Sequence, residues 1–355
     1  MNDRRILFFA DASSVHTRRW VREMSARGYE AIVATRRPAN VTGAKDVIAL
    51  RPGSDGAGWF LALPEVRRLA RRLAPRWVHG HYVTSYGLWA AASGVRPVVL
   101  TAWGSDILVT PRESAFMRRV VGWTLRRAAL VTADSRDMLE EISRYKPRAV
   151  CEEVLWGADT ELFRPAQGTA HDGGFEVISV RNWEPNYNVD VVLRAFAGLL
   201  KQRPGATLNL IGGGPDERAL RALELQLGIG DAVRFTGRVD EHTMAAMLRR
   251  AQACISIPTS DATSVALLEA MACGLPVVAS DLPANRQWLA REGGLLVNPR
   301  DSLAVTAALL RLHDARDEAA AMGQRNRAVI EQRASRRSQM DLMDRLYRSV
   351  AASAS

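Results

Sequence analysis

The sequence alternates between two kinds of segment, and this alternation limits the folds that the chain can adopt. Short runs rich in apolar residues, beginning with ILFFA at 6–10, are each followed by a stretch with the apolar spacing of a helix. Regular alternation of strand and helix predicts parallel sheets with helices on both faces. The pattern lapses into the polar stretch QGTAHDGG at 167–174 and then restarts. We therefore expect two doubly wound Rossmann-like domains, over 1–166 and 175–335, joined by a linker at 167–174.

The predicted helices follow the apolar runs of both halves. They cover 17–27, 86–93, 115–127 and 136–145 in the first half, and 189–202, 241–251 and 265–273 in the second. The tail after Asp301 is nearly all helical, and we expect a last helix over 336–355 to pack back toward the first domain. Ligands of open parallel sheets bind beyond the carboxyl ends of the strands. Two such sheets predict a central cleft, and the residues that follow the strands are the candidates for its chemistry.

The lengths of the apolar runs and the spacing of the cysteines indicate the cellular compartment of the protein. No run is long enough to span a bilayer, and the start of the chain has the pattern of a first strand instead of a signal peptide. Cys151, Cys254 and Cys273 have neither disulfide-framework nor metal-ligand spacing. We expect buried thiols in a reducing cytosol and no metal site.

The positive charge of the chain is concentrated in its first half. The net charge is +10, and residues 1–165 hold 26 Lys and Arg against 17 Asp and Glu. Such asymmetry suits nucleic acid, an anionic membrane surface or a phosphorylated acceptor, and it also suits an ordinary solvated surface. The segment LPEVRRLARRLAP at 63–75 has the pattern of a basic amphipathic helix. It is interpreted either as a helix lying on anionic lipid or as a surface helix of the first domain.

Two motifs of the second half stand directly after predicted strands. IGGGPDERAL includes Gly213 and Gly214, where missing side chains let a ligand approach the backbone, although a tight turn uses the same residues. The glycine spacing of dinucleotide-binding folds is absent. The block at 258–281 joins a strand, a polar loop, a helix and another strand. Within it Glu269 lies in the apolar run LLEAMA, where a carboxylate is costly unless it is bound or partly exposed.

This block resembles the signature of retaining glycosyltransferases of family 4, which have the GT-B fold. The resemblance implies that Glu269 grips the ribose of a nucleotide, and that Asp261 contacts the donor sugar in place of the usual glutamate. The amides of Thr263, Ser264 and Val265 would face the diphosphate.

The same resemblance assigns cations to the diphosphate. Arg181 matches the family's arginine in the loop after the first strand of this domain, whereas Tyr187 stands where a lysine is expected. A tyrosine contributes a hydroxyl but no charge. Arg286, which follows a later strand, is our candidate for the second cation.

The first half carries loops similar to the acceptor-side loops of the family. VHGHY and TAWGSDI match at His81 and Asp106, which are predicted to be catalytic together with Asp261. Trp103 stands where the family often has a histidine, and indole cannot shuttle a proton. The predicted contacts to the acceptor or sugar are His16, Trp103, Gly104 and Ser105.

Taken over nearly the whole chain, the resemblance implies a retaining transferase that moves a sugar from a nucleoside-diphosphate sugar to an acceptor hydroxyl. No metal and no other cofactor are expected. The acceptor would be a glycan, a glycolipid or a small molecule, as in surface polysaccharide or glycolipid assembly, with the enzyme cytoplasmic or peripheral on the inner face of the membrane. A GT-B-fold sugar-nucleotide epimerase is the enzyme alternative. A nucleic-acid-binding protein is disfavoured because the arginines accompany no recognition motif.

Overall fold

The chain divides into two units in the computed structural model, which describes residues 4–50, 58–166, 174–289 and 292–352. The first unit comprises Met1–Trp156 and Ser338–Ser355, and the second comprises Gly157–Arg337. The first unit therefore ends ten residues before the expected limit at 166. Residues 157–166 pack in the second unit because Phe163 is fully buried and its carbonyl accepts a hydrogen bond from Arg327 Nη1.

The first unit contains a sheet of seven parallel strands in the order β3-β2-β1-β4-β5-β6-β7. The strands are β1 Arg5–Phe9, β2 Glu30–Thr35, β3 Ala44–Ala49, β4 Trp77–His81, β5 Val98–Thr101, β6 Leu130–Ala133 and β7 Val150–Glu153. The helices between them are α1 Val15–Ala26, α2 Gly58–Leu61, α3 Leu63–Leu73, α4 Tyr86–Ala92, α5 Ser105–Leu108, α6 Thr110–Glu113, α7 Ala115–Leu125 and α8 Arg136–Ser143.

The second unit contains a sheet of six parallel strands in the order β10-β9-β8-β11-β12-β13. The strands are β8 Phe175–Val180, β9 Ala206–Ile211, β10 Val233–Gly237, β11 Ala253–Ser256, β12 Val277–Ser280 and β13 Gly294–Val297. The helices are α9 Val189–Gln202, α10 Glu217–Leu227, α11 Glu241–Arg250, α12 Val265–Ala272, α13 Pro283–Leu289, α14 Ser302–Asp314 and α15 Arg316–Arg333, and α16 Arg336–Ala352 ends the described chain.

Both sheets are doubly wound, as the alternation of the sequence predicts. The order of the strands reverses between β1 and β4 in the first sheet and between β8 and β11 in the second. At such a reversal the loops leave the carboxyl edge in opposite directions and open a crevice. The candidate residues should therefore be sought in the loops that follow β1, β4, β8 and β11.

The basic helix α3 turns its apolar side inward. Val66, Leu69 and Ala70 are buried, while Arg68 and Arg71 are exposed. The interpretation that this apolar stripe lies on lipid is therefore wrong, because the protein core covers it. What α3 offers to solvent is a row of arginine side chains.

The last helix packs on the first unit through a buried aromatic group. Tyr347 is fully buried, and its ring centroid lies 5.8 Å from those of Trp77 and His79. Its hydroxyl lies 2.6 Å from His79 Nδ1, and Trp77 Nε1 donates to its carbonyl oxygen. Residues at the very end of the sequence thus complete the core around the start of β4.

The three cysteines differ in burial, and the helices are too short or too polar to span a bilayer in the part of the chain that the structure describes. Cys254 and Cys273 are buried free thiols, but Cys151 is exposed on the edge strand β7, so the expectation that all three are buried is wrong. Across the described ranges, no helix has both the length and the apolar character needed to cross a bilayer.

Candidate functional site

Arg181 and Asp261 meet at the carboxyl edge of the second sheet. Arg181 follows β8, and its Nε donates to Ser256 Oγ at the end of β11 over 2.7 Å. Its Nη1 lies 2.8 Å from Asp261 Oδ2, and only 10% of the arginine side chain is exposed. The structure thus brings the predicted phosphate cation and the predicted sugar carboxylate together as an ion pair.

Asn186 and Asn188 fix the loop after β8 against the loop after β11. Asn186 Nδ2 donates to the carbonyl of Ser260, and Ser260 N donates back to Asn186 Oδ1. Asn188 has φ of +50° and donates through Nδ2 to the carbonyl of Ile257. Sequence reasoning missed both, although asparagine is one of the few residues that tolerate the left-handed conformation.

Tyr187 lies between these asparagines and packs beside the cation. The guanidinium carbon of Arg181 is 5.4 Å from the centroid of its ring. Burial raises the pKa of the Tyr187 phenol, which therefore stays neutral at ordinary pH. The residue that replaces the family's lysine adds a cation–π contact and no positive charge.

The three glycines after β9 have two different explanations. A Cβ at Gly212 would lie 1.9 Å from the carbonyl oxygen of Arg181, and a Cβ at Gly214 would lie 2.2 Å from that of Trp183. The protein's own backbone therefore requires both glycines, as expected for a tight turn. A Cβ at Gly213 would meet only the side chain of Arg238, at 3.5 Å. Gly213 alone faces a side that a ligand could approach.

Arg238 is the candidate that sequence reasoning missed. It follows β10 at the same edge of the sheet, beside Gly213, and its side chain is exposed. Its place directly after a strand was the available signal. Arg286, the predicted second cation, instead engages Asp281 with Nε and Nη2 over 2.6 and 2.8 Å. A role of Arg286 at the diphosphate stays a prediction.

The loop before α12 is held by its own hydroxyl groups. Ser264 Oγ accepts a hydrogen bond from Leu267 N and caps the helix, which begins at Val265. Thr263 Oγ1 accepts from Gln287 Nε2 of α13 over 3.0 Å. Both side chains are buried, so the groups that this loop can offer to an anion are backbone amides at the start of α12.

Glu269 is buried in the middle of α12. Only 2% of its side chain is exposed, and Arg336 Nη2 lies 3.9 Å from its Oε1. The interpretation of Glu269 as a partly exposed residue on the polar side of the helix is therefore wrong. The carboxylate of Glu269 and the guanidinium of Arg336 are thus both buried and lie close together.

In the first unit Asp106 braces two loops. Its Oδ2 accepts a hydrogen bond from Val83 N over 2.7 Å, and its Oδ1 accepts from Trp103 N over 3.0 Å. The residue has no exposed surface, and burial raises the pKa of its carboxyl group to about 6. Asp106, predicted as catalytic, thus holds the loops after β4 and β5 in place and has no surface to present to a substrate.

His81 ends β4 at the wall of a cavity. Burial, with a smaller contribution from the charge of His16, lowers the pKa of His81 to about 3, so the imidazole is neutral at ordinary pH. Its Nδ1 lies 3.5 Å from Thr17 Oγ1, and its Nε2 is buried with no hydrogen-bond partner among the described residues. His81 can therefore exchange hydrogen bonds with a ligand, but it is not a proton shuttle near neutral pH.

The cavity has a volume of about 750 Å³ and aromatic walls. Trp59, Tyr82, Tyr86 and Trp103 line it together with His81 and the basic residues Arg36 and Arg37. Trp103 Nε1 is another buried donor with no hydrogen-bond partner in the described part of the chain. Apolar ring faces with a few polar atoms are the surface that a sugar ring requires.

The other predicted acceptor contacts surround Trp103. The ring of His16 packs 5.2 Å from that of Trp103 and 4.8 Å from that of Trp156, so it supports the tryptophan. Gly104 has φ of +113° where the chain turns into α5, and Ser105 Oγ lies 2.6 Å from Tyr82 Oη. The described ranges contain no group of three or more His, Cys, Asp or Glu side chains that could hold a metal ion.

Comparison with protein families gives two matches that lie in succession along the chain. The model described as "Glycosyl transferase 4-like" matches residues 5–135, and the model described as "Glycosyl transferases group 1" matches residues 162–329. The chain belongs to the group 1, family-4-like glycosyltransferases. The predicted family is confirmed.

Two of the curated relatives of this chain have names that include an inositol derivative. The D-inositol 3-phosphate glycosyltransferase of Frankia alni is 35% identical over 51% of this chain and 48% of its own length. The phosphatidyl-myo-inositol mannosyltransferase of Mycobacterium leprae is 39% identical over 36% of this chain and 34% of its own length. The chain thus spans half or less of the length of these relatives.

Solved structures share this fold over nearly the whole of the given chain. Sucrose-phosphate synthase from Thermosynechococcus elongatus has a TM-score of 0.82 and 20% identity, with 99% of this chain and 100% of that chain covered. The predicted GT-B fold with two Rossmann-like sheets is confirmed.

Two glycines of the loop after β9 should differ in how much an added methyl group lowers the free energy of unfolding. Gly214→Ala should lower the free energy of unfolding by about 1–3 kcal/mol because its Cβ would collide with the Trp183 carbonyl. Gly213→Ala should change it by less than about 0.5 kcal/mol. Urea denaturation of both variants measures the difference, and equal destabilisation would contradict the assignment of Gly213 to the open side.

The depressed pKa of His81 should appear in the pH dependence of stability. Between pH 6.5 and 3 the unfolded chain binds a proton that the folded imidazole does not, so stability falls as pH drops below 6.5. His81→Gln should reduce the stability lost between pH 7 and pH 5 by about 2 kcal/mol. Chemical denaturation at both values measures this loss, with the exposed His242→Gln as matched control. An unchanged loss in His81→Gln would refute the buried, neutral state of this ring.

Proposed function

We propose that this protein is a retaining glycosyltransferase that binds a nucleoside-diphosphate sugar on its second unit and an acceptor hydroxyl on its first. The observation that carries the proposal is one group of residues at the carboxyl edge of the second sheet. Arg181, the open side of Gly213 and the first amides of α12 supply positive potential, and Glu269 supplies a buried carboxylate in the same helix. A nucleotide has phosphates and a ribose to match these groups.

The ion pair of Arg181 with Asp261 suggests how the donor is handled. Without a ligand, the aspartate offsets the charge of the arginine over 2.8 Å. An incoming diphosphate competes for the same guanidinium, which leaves the Asp261 carboxylate available to the donor sugar. Arg238, beside Gly213, is better placed than Arg286 to provide a second cation.

The chemistry follows from where negative charge develops. As the bond between the anomeric carbon and the β-phosphate oxygen breaks, charge accumulates on the departing diphosphate, toward which Arg181 and the α12 amides are directed. The acceptor oxygen forms the new bond on the same face of the sugar, and its proton passes to the departing phosphate. This route requires no proton from His81, in keeping with an imidazole that is neutral at ordinary pH.

A lipid-linked or glycan acceptor fits the first unit. The aromatic cavity there suits a sugar ring, and the names of relatives include a phosphatidyl-myo-inositol acceptor. We therefore place the reaction in glycolipid or surface polysaccharide assembly at the cytoplasmic face of the membrane, with the first unit in peripheral contact with anionic lipid.

The surface that supports this contact is not the apolar side of α3. Phe60, Leu61 and Phe116 are exposed by 40%, 72% and 58%, and the two phenylalanine rings lie 5.9 Å apart. Exposed Arg118 and Arg119 follow Phe116 on α7. Aromatic side chains beside arginines are suited to the headgroup region of an anionic bilayer.

Donor binding is tested with uridine, guanosine, adenosine and thymidine diphosphate sugars in a thermal-shift assay. One base should raise the melting temperature of the wild type. Arg181→Ala and Glu269→Ala should each weaken binding of that donor about tenfold or more, because each removes a charged hydrogen-bonding partner. Arg203→Ala, whose guanidinium is engaged by Asp314, serves as the control, and Arg286→Ala tests the predicted second cation. Undiminished binding by Glu269→Ala would reject the donor site, and release of an altered sugar without any acceptor would identify an epimerase instead.

Membrane contact is tested by sedimentation with vesicles of neutral phosphatidylcholine, with and without phosphatidylglycerol. The wild type should pellet only with the anionic vesicles, and Phe60→Ser with Phe116→Ser should reduce the pelleted fraction severalfold. Leu225→Ser with Leu303→Ser removes two leucines of the second unit that are 77% and 80% exposed, and it should pellet like the wild type. Equal pelleting of both double variants would eliminate this surface.

A further inference from the structure

A buried arginine stands behind the predicted ribose carboxylate. Arg336 is the first residue of α16, and only 5% of its side chain is exposed. Its Nη2 lies 3.9 Å from Glu269 Oε1, and its Nη1 lies 3.5 Å from Asp159 Oδ2. One cation thus interacts with two carboxylates, of which Glu269 is the more deeply buried.

The backbone on both sides of this cluster is tightly fixed. Ala158 N donates to the carbonyl of Ala334, and Arg336 N donates to the carbonyl of Ala158, each over 2.8 Å. Gly157 has φ of +65°, and a Cβ there would lie 2.7 Å from Arg336 N. Asp159 is held as well, since its Oδ1 accepts hydrogen bonds from the amides of Glu161 and Leu162. Arg336 therefore approaches Glu269 from a rigid support.

A cation 3.9 Å from the Glu269 carboxylate favours its ionised form. A carboxylate inside an apolar helix is costly and tends to take up a proton unless a cation accompanies it. Arginine keeps its charge at every pH that the protein meets. The separation of 3.9 Å is too long for a hydrogen bond, so Arg336 acts on Oε1 through its charge.

We propose that Arg336 is a positioning residue for the donor nucleotide, which keeps Glu269 ionised and oriented so that its oxygens accept hydrogen bonds from the ribose hydroxyls. This inference rests on the proposed function of Glu269. An ionised carboxylate only accepts hydrogen bonds, whereas a protonated one has lost part of that capacity. The strength of the ribose contact is therefore set by a residue that touches no part of the nucleotide.

The test compares how tightly the protein binds a nucleotide with an intact ribose and the same nucleotide without the 2′ and 3′ hydroxyls. The probes are UDP and GDP, each paired with its 2′,3′-dideoxy analogue, and calorimetry gives the ratio of the two dissociation constants for the base that binds. The wild type should prefer the ribose about tenfold or more. Arg336→Gln should bring the ratio close to one, and Arg336→Lys should retain most of the preference because the cation remains.

Arg327→Gln is the matched control. Arg327 is also an arginine that braces this region, through hydrogen bonds to the carbonyls of Phe163 and Ala272, and the carboxylate that it pairs with is that of Glu331. Its loss should lower stability and leave the ratio at the wild-type value. Gly157→Ala provides a second variant if Arg336→Gln does not fold. It displaces the backbone of Arg336 without removing a charge, and it should lower the ratio.

The outcomes separate the inference from the proposed function. If Glu269→Ala abolishes the preference while Arg336→Gln or Gly157→Ala retains it in full, the role of Arg336 is overturned and the donor site stands. If Glu269→Ala retains the wild-type preference, the ribose contact itself is wrong, and the role of Arg336 falls with it.

Discussion

The close approach of two backbone loops, one after β8 and one after β9, is the contact on which the rest of the second unit's site depends. Trp183 N donates to the carbonyl of Gly213, and Asp216 N donates to that of Trp183. Only glycine at 212 and 214 permits this approach. The contact brings Arg181 to the edge of the sheet, starts α10 beside it and leaves the Gly213 side open. The glycine cluster is therefore mainly a structural requirement of the backbone at Gly212 and Gly214, and only Gly213 is left with an open side.

In the first unit, burial determines what the polar groups at and beside the aromatic cavity can do. Asp106 accepts two backbone hydrogen bonds, and His81 is neutral because burial disfavours its charged form. The buried polar atoms of His81 and Trp103 suit a neutral ligand rich in hydroxyls. Under the proposed function, the cavity walls would orient the acceptor, and Arg181 with the first amides of α12 would stabilise the charge of the diphosphate.

Periodicity predicts the long helices and the central strands better than the edge strands. The helix predicted at 189–202 matches α9 at both ends, whereas the edge strands β3, β7 and β13 were missed. Residues of these strands are half-exposed or exposed, and charged side chains interrupt the apolar pattern in two of them. The family signature indicated Arg181, Asp261 and Glu269. The only sequence signal for Arg238 is its place directly after a strand, and Arg336 could not be predicted because it reaches Glu269 only through the tertiary fold.

The last helix contributes side chains to both units of the chain. Arg336, its first residue, supports Glu269 in the second unit, and Tyr347 fills the core of the first unit beside Trp77 and His79. A protein terminated at residue 335 would keep all thirteen strands of both sheets. It would nevertheless lose the cation beside Glu269 and the tyrosine that fills the core of the first unit. The loss of this one helix would therefore disturb both units at once.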